Sequence, residues 1–411
     1  MNEVVTATAF KAHVPLRYRT AARLVHGTLA GWRGGALSMA LPDGSVREYG
    51  ECGSTPAVRV TVKDWKFFWR ALTAGDIGVG ESYMAGEWEC SDLVDVCRCF
   101  LRDQSMLDSR STWTLPARLW HAWLRLRRVN TLKGSRRNIE HHYDLSNDLY
   151  RLFLDESMMY SCAVFEPSDA SLADAQRYKL DQICQRLALV PGMEILEIGS
   201  GWGAFAVHAA QHYGCRVTSL TLSKEQLALA RERVAAAGLD TLVDIRLCDY
   251  RAVTGSFDRI VSIEMFEAVG YEYYDAFFGQ CSRLLKPDGR MFLQTIYKPD
   301  QQFDRYRRDF DWVRKYIFPG SLLASVYGIA RALKHHTAMR IEWMQDIGLH
   351  YAHTLRAWRE RFMSRAPEVR QLGFDDRFIR MWEFYLASCE AAFATRYLGD
   401  AQMILAKPAI R

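Results

Sequence analysis

The 411-residue chain reads as an α/β protein in which a doubly wound, mostly parallel sheet follows a smaller α+β domain. Three observations predict this. From about Arg136 onward, short apolar runs alternate with helix-forming segments, the pattern of successive βα units in a parallel sheet. One run passes directly into Gly199, Gly201 and Gly203 and then into a helix, the strand–turn–helix order of a ligand site. Between Tyr18 and Asp103 the runs are short and alternating, and turn signals at Pro42-Asp43-Gly44 and Gly75 to Gly80 separate them, which suits a small mixed module.

In chain order, residues 1–108 form the N-terminal domain, with Ala57 to Val62 its clearest alternating strand. Met1 to His13 carries Glu3 where a secretory signal would be basic and has no long apolar run, so a cytoplasmic compartment is expected. Residues 109–139 form a connector, and residues 140–411 hold the large sheet. Its strands are expected at Glu194 to Ile198, Arg216 to Leu222, Asp244 to Leu247, Arg259 to Ile263 and Arg290 to Ile296. Ala204 to Tyr213 and Lys224 to Ala237 are helical, the second with Leu227, Ala230, Val234 and Ala237 on one face.

Composition narrows the function. With 49% hydrophobic and 25% charged residues the chain must fold, yet no apolar run approaches the ~18 residues of a membrane span. The net charge of +5, from 53 basic and 48 acidic residues, is too mild to indicate nucleic acid as a partner. It is also local. Arg110, Arg118, Arg125, Arg127, Arg128, Lys133, Arg136 and Arg137 all lie between Ser109 and Ile139, where there is no acid. With Trp113, Trp120 and Trp123 interleaved, this belt has the composition of a segment lying on an anionic membrane surface; a solvated linker helix is the alternative. Among the ten cysteines there is no C-x₂-C pair, and the adjacent pairs His141-His142 and His335-His336 cannot share a face, so no metal is assigned.

The glycine turn is the most informative segment: Ile195-Leu-Glu-Ile-Gly-Ser-Gly-Trp-Gly-Ala204. Read as G-x-G-x-x-A it would be a dinucleotide site, which requires an acid about 20 residues further on for the ribose. That acid is missing. The second strand ends Ser219-Leu-Thr-Leu-Ser223, and Glu225 already lies inside the next helix. Instead, Glu197 precedes the glycines and bulky Trp202 stands where the loop would wrap phosphates. A ligand with an amino-acid portion and no pyrophosphate suits this arrangement, because its ammonium would meet the acid. S-adenosylmethionine is such a ligand. Glycines that merely permit close strand–helix packing are the plainer alternative.

The segments His142-Tyr-Asp-Leu-Ser-Asn-Asp-Leu-Tyr150, Tyr160-Ser-Cys-Ala163, the glycine turn, Asp249-Tyr-Arg251, Met265-Phe-Glu267, Lys286-Pro-Asp-Gly289 and His350-Tyr-Ala-His-Thr-Leu355 resemble cyclopropane-fatty-acyl-phospholipid synthases. Gly78-Val-Gly-Glu-Ser-Tyr-Met-Ala-Gly86 extends the likeness into the N-terminal domain. The resemblance implies a Rossmann-like class I methyltransferase sheet, completed by C-terminal strands near Met339 to Met344 and Gln402 to Ala406, after a lipid-engaging domain. It further implies a homodimer, peripherally bound to the inner face of the membrane, acting on unsaturated acyl chains of the phospholipid bilayer.

By the same resemblance, Tyr160 and Ser161 match a loop over the cofactor, and Gly199, Gly201 and Gly203 match its methionine-side turn. Thr221, Ser223 and Gln226 match ribose and carboxylate contacts, and Asp249 and Tyr250 an adenine-side pair. Cys162, Glu267, Ile296 and Tyr351 match positions that hold a bicarbonate ion beside the reacting carbon. Three positions depart: Gln294 stands where a His is usual, and Glu264 and Ala268 replace a Gly and a His, as in the branch that includes plant cyclopropane synthases. Gln294 can donate and accept hydrogen bonds but cannot carry a proton's charge.

An alkene is a poor nucleophile, so the donor methyl must be held in line with one olefinic carbon at about 3–3.5 Å. Its transfer leaves a cation on the chain that aromatic faces stabilise; Tyr351, Tyr143 and Phe266 are the candidates. Closing a ring then needs a base. Bicarbonate is the expected one, oriented by Glu267 and bonded by Gln294, Tyr351 and the backbone of Cys162 and Ile296, with Glu267 itself as the alternative. The expected product is a cyclopropane fatty acid. Loss of a chain proton would give a methylene- or methyl-branched acid instead, and a small-molecule N-methyltransferase and a silent lipid-binding protein are the rival readings.

Overall fold

The computed structural model describes residues 14–51, 53–103 and 146–408. The chain divides into two compact units, Met1–Ala117 and Arg118–Arg411. The basic belt, Tyr143 and the boundaries expected at 108 and 139 lie outside the described residues.

The first unit is a four-stranded sheet in the order β2-β1-β3-β4, formed by Ala36–Ala40 (β1), Val46–Tyr49 (β2), Ala57–Val62 (β3) and Trp88–Cys90 (β4). Strict alternation along β3 buries Val58, Val60 and Val62 and exposes the residues between them, as a strand with one wet face requires. The β1–β2 turn is held by Asp43, which accepts hydrogen bonds from the backbone and hydroxyl of Ser45. Helix Leu16–Leu29 packs on helix Lys66–Met84, where His26 meets Phe68 with ring centroids 5.0 Å apart. The break expected across Gly75 to Gly80 shrinks to a single kink at Gly75, whose φ of 56° and ψ of −131° are open only to glycine. The chain resumes its helix at once, so the glycines after Gly75 are helical.

The second unit is a seven-stranded sheet in the order β10-β11-β9-β8-β5-β6-β7. Its strands are Glu194–Ile198 (β5), Arg216–Thr221 (β6), Val243–Leu247 (β7), Phe257–Ile263 (β8), Leu285–Tyr297 (β9), Arg340–Asp346 (β10) and Gly399–Ala406 (β11). Strands β5 to β9 run parallel, and β11 enters antiparallel between β9 and β10. Two apolar layers flank the sheet. Along β5, Leu196 and Ile198 join a cluster with Phe277, Phe278 and Met291, whereas Ile195 faces Phe205, Ala209 and Val217 on the other side. Helices Gly348–Ser364 and Asp376–Ala394 pack on each other and carry the aromatic residues discussed next.

Candidate active site

The chain leaves β5 for β6 on one side of the sheet and returns through β8 on the other, so the ends of β5 and β8 splay apart. A cleft opens at those ends, the place where ligands bind in sheets of this topology. Tyr160, Ser161, Glu197, Gly199, Gly201, Trp202, Thr221, Gln226, Asp249, Tyr250 and Glu264 line it. Gly199 has φ of 99°, and a Cβ there would stand 2.9 Å from Met265 Cβ, so a side chain would close the passage between the two strand ends. The indole N–H of Trp202 donates to Asn147 Oδ1 at 2.8 Å and its ring packs on Tyr150, which walls off one end of the cleft.

Thr221 and Gln226 bond each other at 2.9 Å while facing the cleft. Burial works to raise the pKa of Asp249, but the guanidinium of Arg251, bonded to both carboxylate oxygens at 2.8 and 2.7 Å, brings it below the usual value. Glu197 is buried, accepts from the Ser219 hydroxyl, and has its pKa pushed up to about 8 by desolvation. A cationic amino-acid headgroup is the partner such a carboxylate lacks. A lining that brings the buried Glu197 and the glycine turn together with Asp249 and Tyr250 suits a ligand of the adenosylmethionine kind, which carries a cationic amino-acid headgroup.

Two expected cofactor contacts are placed differently. The Ser223 hydroxyl does not line the cleft; it accepts from the Gln226 backbone at 3.2 Å and caps helix Lys224–Ala236. Gly203, with φ of 85°, also lies outside the lining and faces Ala230, whose Cβ would be 3.2 Å from an added Cβ. It serves helix packing. Phe266 is likewise no cation ligand, because its ring is fully buried among Tyr274, Phe277 and Phe278.

At the wall of the cleft that Glu264 forms, the residues expected to hold bicarbonate do converge, but on protein carboxylates. Glu264, at the end of β8, accepts from the Cys162 backbone at 2.8 Å, from Gln294 Nε2 at 2.8 Å and from the Tyr351 hydroxyl at 2.7 Å. Glu267 accepts from the Ile296 backbone at 2.6 Å and from Thr295 Oγ1 at 2.9 Å. Gln294 is oriented by Gln402, its cross-strand partner on β11, which donates to its amide oxygen at 3.0 Å. The Cys162 thiol turns toward the Ala163 and Ile347 carbonyls, and burial raises its pKa well above the usual value, so it is inert. Burial also raises Tyr351, which stays a hydroxyl donor.

A bicarbonate ion does not fit this site. The donors that would bind it already bond Glu264 or Glu267, and the ion would compete with the Glu264 oxygens for the space they fill. Glu264 pays for its position in backbone strain, since its φ of 49° is the left-handed region that costs a side-chain-bearing residue about 1–2 kcal/mol. In the sequence Glu264 stands out only as a departure, and Asp400, Gln402 and Lys179 do not stand out as site residues. The pairing of Gly-to-Glu with His-to-Gln was a usable signal for Glu264. Nothing local marks Lys179, a fully buried ammonium that donates to Ser161 Oγ at 2.7 Å.

Residues 130–403 match the family described as mycolic acid cyclopropane synthetase. Tuberculostearic acid methyltransferase UfaA1 of Mycobacterium tuberculosis is 44% identical over 341 residues, which cover 80% of this chain and 79% of that protein. The cyclopropane-fatty-acyl-phospholipid synthase of Escherichia coli K12 is 40% identical over 361 residues, covering 86% and 89%. Among solved structures, mycolic acid cyclopropane synthase CmaA1 complexed with SAH and CTAB superposes with a TM-score of 0.62 at 33% identity, over 66% of this chain and 98% of that one. Coclaurine N-methyltransferase superposes with a TM-score of 0.65 at 20% identity over 81% of this chain and 100% of that one, a likeness of fold alone.

Proposed function

The chain belongs to the mycolic acid cyclopropane synthetase family and is an adenosylmethionine-dependent methyltransferase of fatty acyl chains, and we propose that it converts the cis double bond of a phospholipid acyl chain to a cyclopropane. The observation that carries this reading is the junction of the cofactor cleft with a site built from carboxylates and aromatic rings. When bound, the cofactor supplies an electrophilic methyl group. Glu197, the glycine turn, Thr221, Gln226, Asp249 and Tyr250 orient it, and Tyr160 and Ser161 cover it.

The chain's own rings do the rest. Tyr351 stacks on Phe393 at 4.4 Å between centroids, and Tyr160 packs on Trp358 at 5.1 Å. Tyr160 lines the cleft and would offer a cation roughly 0.5–2 kcal/mol, while the buried rings of Tyr351, Phe393 and Trp358 exclude the water that would trap it. A second product has a specific observation in its favour: the relative at 44% identity is a tuberculostearic acid methyltransferase. Proton loss from the chain rather than from the new methyl would give that branched skeleton.

The test is to incubate the protein with adenosylmethionine and unsaturated phospholipid vesicles and follow the acyl chains by mass spectrometry. The expected gain is one CH₂ per modified chain, and proton NMR separates a ring methylene from an exocyclic one. Unaltered chains with cofactor bound would overturn the reading. None of the described helices is long and apolar enough to cross a membrane, and our reading places the encounter with substrate at the membrane surface. The belt at residues 109–139 suits that task, with the N-terminal domain engaging lipid and the protein working as a homodimer on the membrane's inner face. Adsorption to anionic vesicles should weaken with salt and on neutralising Arg125, Arg127 and Arg128; salt-independent adsorption would make the belt a plain linker.

A further inference from the structure

We propose that Glu264 is the catalytic base of this enzyme, a protein carboxylate fixed where a diffusible bicarbonate ion would otherwise be held. The proposal rests on the reading of the protein as an acyl-chain alkylating enzyme and names the group that completes its chemistry.

Three independent features carry it. The backbone N–H of Cys162, the amide of Gln294 and the hydroxyl of Tyr351 converge on the two Glu264 oxygens, a donor set complementary to an anion. Glu264 lines the cleft and is only half-buried, so its carboxylate can meet a substrate. Glu267 does not line it: one of its oxygens is taken by Ile296 and Thr295, and the other is buried without a partner. The left-handed backbone at Glu264 keeps the geometry of a glycine position while carrying a carboxylate, and strain of this kind persists where the surroundings over-determine it. The neighbouring acids are compatible with this division. Burial pushes Glu267 up to about 8 and raises Asp400 as well, so it favours the neutral form of both.

The step balances without another reactant. Once the methyl carbon has bonded to one olefinic carbon and its bond to sulfur has broken, the adjacent chain carbon is cationic. A Glu264 oxygen takes a proton from the new methyl, and the released C–H electron pair forms the second ring bond and cancels the charge. The proton passes to solvent after product leaves. Should the same oxygen take a proton from the chain instead, the electron pair forms a C=C bond and the product is methylene-branched.

The test uses the full chain with adenosylmethionine and dioleoyl phosphatidylglycerol vesicles, in carbonate-free buffer and again with added bicarbonate. Wild-type turnover is expected to be the same in both. Glu264→Gln, which keeps the side chain's shape, should lower turnover by about 100-fold or more while cofactor affinity stays within a few-fold. Glu264→Gly reopens the space, so it should lose turnover in carbonate-free buffer and recover part of it with bicarbonate. Titration with ¹³C-bicarbonate followed by NMR should show binding to Glu264→Gly and none to wild type. Wild-type turnover that requires bicarbonate, bicarbonate bound by wild type in this site, or full turnover of Glu264→Gln would each overturn the proposal. If the wild type alters no acyl chain, it is the alkylation reading that fails, and the ¹³C comparison still decides whether Glu264 fills the anion's place.

Discussion

Thr221 at the end of β6 and Ser223 at the start of the next helix stand two positions apart and do different work. Thr221 faces the cleft, whereas the Ser223 hydroxyl is spent on the Gln226 backbone at a helix start. Ser223→Ala should therefore cost about 1 kcal/mol of stability, visible as a lowered midpoint in urea, and leave cofactor affinity within a few-fold. A large loss of affinity with unchanged stability would reverse the assignment. The sequence held the clue, because Ser223 and Gln226 have the spacing of a capping box. Glu264 held none of that kind. Its residue type was visible, but whether its carboxylate points at a cleft or at solvent depends on one backbone angle and on partners from three other segments.

At the level of elements, the glycine turn couples two helices as well as shaping the cleft. Gly203 lets helix Ala204–Tyr213 approach Ala230 on helix Lys224–Ala236. Gly203→Ala meets both a left-handed φ and a 3.2 Å contact, so a loss of about 1–3 kcal/mol is expected, read as a lowered thermal midpoint. The strands were legible from their apolar runs, although β8 begins at Phe257 and β9 at Leu285, earlier than those runs suggest. Phe257 pairs with Leu285 there, and the ladder absorbs the polar segment before Arg290 through a register shift. The buried face of helix Lys224–Ala236 was placed less well. It runs through Gln226, Leu229, Ala230 and Val234 and leaves Ala237 exposed. Polar Gln226 turns inward because Thr221 bonds its side chain, a contact that hydrophobic periodicity cannot register.

Over the whole molecule, buried acids make stability depend on pH in an unusual direction. Glu197 has a folded pKa of about 8, above the value near 4.3 expected unfolded, so the native state holds more protons between those values. Its contribution is full below the unfolded pKa and is lost as pH rises through the folded one. The ligand-free protein should thus lose stability from pH 5 to 8, by up to about 1.4 kcal/mol per unit from this group, and Glu197→Gln should flatten that slope. Identical slopes for wild type and variant in urea titrations would refute the assignment. By itself the sequence determined the α/β class, the positions of the sheet strands and the glycine turn with its acid, because apolar periodicity and backbone-permissive residues act locally. Only the tertiary structure decided which groups form the reaction site. Pairing of β9 with β11 brings Gln294 to Gln402, and the turn after β8 brings Glu264 beneath Tyr351 and Cys162. Hydrogen bonds between residues far apart along the chain depend on strand register and on the direction each side chain leaves the backbone, and those are fixed only when the core closes.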